Sequence, residues 1–170
     1  MAANTLSESL EYAEGVADTS IIVPVCFQNP LKMLAVKFLE EALTLKRRIA
    51  IPVTAILGAY HIATRYLRAP RSEVKKILVG LLQTRSPALY PRVDIDVAID
   101  SLDVAAIYKV ESWDGYIISL AGALGTKTIF TLDRELRKVA GIRVEMPFPK
   151  QMIKQYHEYV TSLVKGGMKG

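Results

Sequence analysis

The sequence predicts an α/β fold, a three-layer α/β/α sandwich around a central, mostly parallel sheet. Three observations predict it. Short apolar runs at 15–18, 49–51, 127–131 and 142–144 read as strands, and longer stretches between them repeat their apolar residues every three to four positions. Strands that alternate with helices imply parallel pairing through right-handed crossovers, with helices on both faces. A content of 51% hydrophobic and 23% charged residues over 170 positions suits one core large enough to close such a sandwich.

The elements follow in order. Residues 1–13 are polar and acidic and are expected to be loose, with Leu10 and Tyr12 able to dock. Gly15-Val16-Ala17-Asp18 reads as the end of a short strand, and the apolar run from Ile21 to Phe27 carries the lone Cys26 as a small buried hydrophobe. From Leu31 to Lys46, the residues Leu31, Leu34, Ala35, Phe38, Leu39 and Ala42 keep helical spacing, with Lys32, Lys37, Glu40 and Glu41 on the solvent side. Ile49-Ala50-Ile51 is short enough for a buried strand. Pro52 suits the first turn of a helix running to about Leu67. Ala69-Pro70-Arg71-Ser72 breaks it, and Ser72 can cap a further helix through about Leu82.

Ser86-Pro87 and Pro91 mark a connection with a short extended piece around Leu89. Asp94 to Tyr108 reads as a helix with Val97, Ala98, Leu102, Ala105 and Ala106 on its apolar side. Ser112 caps a helix from Trp113 to about Leu124, which Gly125 ends. Residues 127–131 make the clearest strand, followed by a short helix over 133–139 and a last strand at 142–144. After Pro147 and Pro149 an amphipathic helix covers 150–164, its stripe of Met152, Ile153, Tyr156, Tyr159, Val160 and Leu163 packing on its own domain or on a partner. The tail from 165 is expected to fray. Residues 14–164 thus read as a single domain.

The formal net charge is +5, unevenly spread. Lys46, Arg47, Arg48, Arg65, Arg68, Arg71, Lys75, Lys76, Arg85 and Arg92 face only Glu73 as an opposing charge, whereas Glu8, Glu11, Glu14 and Asp18 open the chain with no base among them. Such a basic stretch is either a plain solvated surface or one that tracks phosphates. One cysteine excludes an internal disulfide and a cysteine metal cluster. No phosphate-binding glycine loop, dinucleotide fingerprint or nucleophile elbow is present. His61 and His157 are too few and too far apart for zinc. No basic-then-apolar leader and no apolar run of about 18 residues is seen, so a cytoplasmic protein without a membrane span is expected.

Open parallel sheets bind ligands beyond the carboxyl ends of their strands. Asp18 follows the first strand, Asp133 follows the strand at 127–131, and Asp114 sits in the first turn of a helix whose start faces the same edge. Carboxylates gathered there repel unless a cation neutralises them, and oxygen ligands suit Mg²⁺ or Mn²⁺. Such an ion polarises a phosphodiester and activates water. Each acid also has an ordinary reading, as an Asx turn or a helix N-terminal residue, and composition does not choose between them.

Val16-Ala17-Asp18-Thr19-Ser20, the run from Trp113-Asp114-Gly115 to Ala121, and Thr128-Ile129-Phe130-Thr131-Leu132-Asp133 resemble the PIN-domain ribonucleases, most of all the VapC-type toxins and their prokaryotic relatives. The resemblance covers roughly residues 14–147. It implies a PIN-like sandwich that cuts single-stranded RNA, with Asp18, Asp114 and Asp133 as catalytic residues and ligands of Mg²⁺ or Mn²⁺. It matches Thr131 to the hydroxyl residue two places before the last acid, and Thr19 and Ser20 to the residues that commonly follow the first. It further implies a homodimer and a small inhibitory antitoxin as partners.

One departure stands out. The family's fourth acid, a glutamate, belongs in the helix after the second strand, where this chain has Gly58. Gly58, His61 and Arg65 share one face of that helix, with Thr54 one turn earlier. If that face borders the pocket, His61 and Arg65 can hold a phosphate, with Lys46, Arg47 and Arg48 as further RNA contacts. Otherwise His61 is an ordinary half-buried histidine. Glu111, three residues before Asp114, is available as a further acid. Tyr60, Tyr66 and Tyr90 either stack on bases or pack. Two functions therefore stand: a metal-dependent endoribonuclease, or a PIN-like module that binds RNA or a protein without cleaving.

Overall fold

The computed structural model describes residues 13–167. Among them, β1 (Gly15–Ala17), β2 (Ile49–Pro52), β3 (Leu89–Tyr90), β4 (Thr128–Phe130) and β5 (Arg143–Glu145) form one sheet in the order β3-β2-β1-β4-β5. Every pairing is parallel, with Val16 opposite Ala50 on one side and Ile129 on the other. Parallel neighbours need crossovers. These run through α1 (Thr19–Ile22), α2 (Lys32–Leu43), α3 (Val53–Arg65), α4 (Arg71–Gln83), α5 (Ile95–Tyr108) and α6 (Ser112–Ala123), and α7 (Lys150–Gly167) follows the last strand. The expectation of loose ends falls, for 1–12 and 168–170, outside the described residues. Residues 165–167 instead continue α7.

The layers follow from the period of two along each strand. Val16, Ala50 and Ile129 point to one face, where Tyr116, Ile117, Leu120 and Ala121 of α6 cover them. Ala17, Ile49, Ile51 and Phe130 point to the other, against α1 to α4 and α7. Both faces are dry, so the central strands read as unbroken apolar runs. Cys26 is buried, and burial pushes its thiol up to about 12, which leaves it a hydrophobe and no nucleophile. The stripe of α7 packs on its own domain: Phe27 lies 6.3 Å from Tyr156 and 6.4 Å from Tyr159 between ring centroids.

Local structure adds to the expectations at one place and changes them at others. The apolar run after Asp18 is helical, as α1 followed by a 3₁₀ turn at Val23–Cys26, with Pro24 near its start. The short helix expected over 133–139 is a 3₁₀ helix at Arg134–Lys138. The apolar side of α5 is rotated: Leu102 is 62% exposed and Ala106 is exposed, while Ser101 is only 4% exposed. The cause is a close backbone approach. A Cβ at Gly115 of α6 would stand 2.2 Å from the Ser101 carbonyl oxygen and 3.3 Å from the Ala105 Cβ. Small residues at 101, 105 and 115 let the two helices meet, and the Ser101 hydroxyl donates to the Val97 carbonyl one turn back, so it buries no unmet polarity.

Gly115→Ala should therefore cost at least about 2 kcal/mol, because the obstacle is backbone. Gly122→Ala in the same helix meets nothing within 4 Å and should be neutral or stabilising by up to about 1 kcal/mol. Urea unfolding of the pair checks this, and equal effects would contradict the close approach.

Candidate active site

Strand order reverses between β1 and β4: the chain steps outward to β2 and β3 on one side and to β4 and β5 on the other. Loops leaving the carboxyl ends at such a switch point diverge and open a crevice. Asp18 leaves β1 directly, and its N–H donates to the Phe130 carbonyl at 2.9 Å. Asp133 lies just beyond β4. Helix α6 starts at this same edge, which puts Asp114 in its first turn over the crevice. The result is a cavity of about 340 Å³ whose walls include Asp18, Asp114, Asp133, Thr19, Gly58, His61 and Glu111.

The acids are held by hydroxyls. Thr131, fully buried, donates to Asp18 Oδ2 at 2.8 Å, and Ser20 Oγ donates to the same oxygen at 2.9 Å. Thr131 Oγ1 in turn accepts the Asp133 N–H at 3.0 Å, and Ser20 Oγ accepts the Leu132 N–H at 2.9 Å. Two side chains thus tie the loop after β1 to the loop after β4. Asp133 Oδ1 accepts the Glu135 N–H at 2.9 Å, which caps the 3₁₀ helix. One oxygen of Asp18 and one of Asp133 are used in this way. Both residues line the cavity.

Asp114 shows the electrostatic consequence. Its carboxyl is pushed up to about 7, first by burial, then by the charges of Asp18, Asp133 and Glu111. A cation among these carboxylates would favour the ionised form of Asp114 instead. The donor set, all carboxylate oxygens, fits a hard divalent ion. Among the described residues, however, no three His, Cys, Asp or Glu side chains already stand close enough together to hold a metal ion. The acids share the cavity without being drawn to one point.

Gly58 and His61 border the cavity, so the helix face that their spacing gives them is the one turned to it. A Cβ at Gly58 would come within 3.1 Å of Thr19 Oγ1 and 3.3 Å of Thr19 Cγ2. Thr19 thus occupies the space that a longer side chain at 58 would need for its first atom. Arg65 is exposed one turn further along α3 and is not part of the cavity wall.

Lys46, Arg47 and Arg48 precede β2 and therefore lie at the amino edge of the sheet, opposite the acids. Arg47 is committed there, 2.9 Å from Glu14 and with its guanidinium 5.1 Å from the Phe130 ring centroid. Tyr60 and Tyr90 are half-buried against the two cores, while Tyr66 is exposed with its ring 5.6 Å from His61. Sequence reasoning gave no role to Trp113 or Tyr116 at the site, and it noted Ser20 only as a residue that follows the first acid.

The raised Asp114 carboxyl fixes a pH dependence. The folded chain holds this proton more tightly than the unfolded one, so the stabilisation is complete below about pH 4 and is lost as pH rises through about 7. Asp114→Asn cannot ionise. Without metal it should exceed the parent in stability at about pH 8 by about 1–2 kcal/mol, after discounting for solvent screening, and match it near pH 4. Urea unfolding in a chelator tests this, and a difference independent of pH would contradict it.

Comparison with known proteins gives three findings. The chain matches a family model, the PIN domain, over residues 16–142. It resembles the crystal structure of PAE2754 from Pyrobaculum aerophilum with a TM-score of 0.53 and 17% identity, over 90% of this chain and 96% of that one, a likeness of fold alone. No curated protein matches its sequence. An all-parallel five-stranded sheet with acids at its switch point, and a family match spanning most of its length, place the chain in the PIN domain family, a family of metal-dependent nucleases.

Proposed function

We propose that this chain is a cytoplasmic endoribonuclease that hydrolyses phosphodiester bonds of single-stranded RNA with Mg²⁺ or Mn²⁺. The observation that carries this reading is the meeting of Asp18, Asp114 and Asp133, from three distant segments, in one cavity at the carboxyl edge of the sheet. A bound ion would supply Lewis-acid polarisation of the phosphodiester and a more acidic water. The chain's own residues do the rest. Ser20 and Thr131 fix Asp18, Thr131 also fixes the turn that presents Asp133, and Asp114 gives up its proton near neutrality. His61, which lines the same cavity, would hold a phosphate oxygen.

A second reading, a PIN-like module that binds without cutting, is favoured by one observation: Gly58 offers no carboxylate, and Thr19 fills the space beside it. The two separate on labelled single-stranded RNA with Mn²⁺. The nuclease reading expects cleavage, reduced about a hundredfold or more by Asp114→Asn. It also expects Gly58→Glu to gain activity chiefly when Thr19→Ala clears the space. RNA that is bound and never cut would establish the binding module instead.

The proposed partners are RNA, a second copy of this chain, and a small inhibitory antitoxin. Ile95, Ile99 and Leu102 form an exposed apolar ridge on α5 at helical spacing, which supports a homodimer. Sedimentation should show a dimer that Leu102→Asp dissociates, and a monomer in the parent would contradict it. As a toxin, the chain would be silenced by a protein encoded beside its gene. A neighbouring gene whose product leaves cleavage untouched would count against that role.

A further inference from the structure

We infer that Trp113 is a stacking platform for one unpaired nucleobase, placed so that the phosphate attached to that base lies over the acids. This deepens the nuclease reading and rests on it for the identity of the ligand. The first observation is exposure. Trp113 is the only tryptophan in the chain and is 66% exposed, although the residues after it, Gly115 to Ile118, are all buried. Packing explains Tyr116, which is 6% exposed and donates from its hydroxyl to the Arg92 carbonyl at 3.0 Å. It does not explain an indole left largely in water.

The second observation is position. Trp113 lines the same cavity as the acids and directly precedes Asp114, about 3.8 Å away at Cα. Its backbone is fixed by the first turn of α6. The same cavity is also lined from α3, by Gly58, His61 and Ile62. Gly58 adds no side chain to that wall, and His61 is braced edge-on by Tyr66 at an interplanar angle of 84°. An exposed indole on the wall of that cavity can offer its face to a flat ring. The cavity, at about 340 Å³, takes a group of roughly nucleotide size.

The third argument is chemical. Every base has a π-face, so stacking on an indole is tolerant of sequence but demands an unpaired base. A duplex hides those faces. The acids cannot make that distinction, because duplex and single strand carry the same phosphates. Trp113 therefore supplies the preference for single strands and little preference among bases.

A lone tryptophan is its own probe. Its emission should fall when a single-stranded oligoribonucleotide is added with Ca²⁺ in place of Mn²⁺, and should change little with an abasic strand of equal length or with a duplex. Trp113→Ala should weaken single-strand binding by about tenfold or more, while Trp113→Phe retains most of it. Equal binding by parent and Trp113→Ala, or full quenching by the abasic strand, would overturn the inference. So would an emission shift that follows protein concentration alone, which would assign the indole to contact with a second copy. Cleavage with Mn²⁺ is scored separately. Quenching without cleavage removes the nuclease reading and keeps the platform. Cleavage without quenching, undiminished in Trp113→Ala, removes the platform and keeps the nuclease.

Discussion

Like charges confined in a poorly solvated cavity repel, and this fold confines them by construction. Asp18, Asp114 and Asp133 sit on three different elements that the sheet order forces to one crevice. None can retreat without moving its element. Without a cation, burial first and the charges of Asp18, Asp133 and Glu111 after it favour a proton on Asp114, whose carboxyl is pushed up to about 7. The chemistry proposed for the site is the other solution to the same repulsion. A cation replaces the proton and draws the carboxylates together.

Two devices make the confinement stiff. Hydroxyls of half-buried Ser20 and buried Thr131 cross-link the loops after β1 and β4 through Asp18, so the first acid and the turn of the third are set as a unit. Small residues do the same for the second acid. Gly115 lets α6 approach the Ser101 carbonyl of α5, and that contact sets where the first turn of α6, with Trp113 and Asp114, meets the crevice. A similar economy operates at Gly15, where a Cβ would meet the Phe130 ring at 2.7 Å. Acid placement, helix packing and the exposed indole are thus consequences of one set of close approaches.

Much of this was legible in the sequence. The strands announce themselves as apolar runs because both sheet faces are dry, and Asp18 and Asp133 follow those runs directly. The helical spacing of Gly58 and His61 foretold a shared face on the cavity. What was hidden has physical causes. The rotation of α5 depends on backbone contact at Gly115, which no hydrophobic pattern encodes, so Leu102 looked like core and Ser101 did not. The basic run before β2 looked like an RNA contact because charge has no direction in a sequence. Its position at the start of a parallel strand sends Lys46, Arg47 and Arg48 to the opposite edge. Trp113 was read as one more helical residue, since exposure belongs to the packed fold and not to the residue type.

The most direct test of the central claim is anomalous scattering from crystals of this chain soaked in Mn²⁺. The account predicts a peak in the crevice within bonding distance of carboxylate oxygens from Asp18, Asp114 and Asp133. An empty crevice at saturating Mn²⁺, or a peak held by other residues with these three acids still apart, would contradict it.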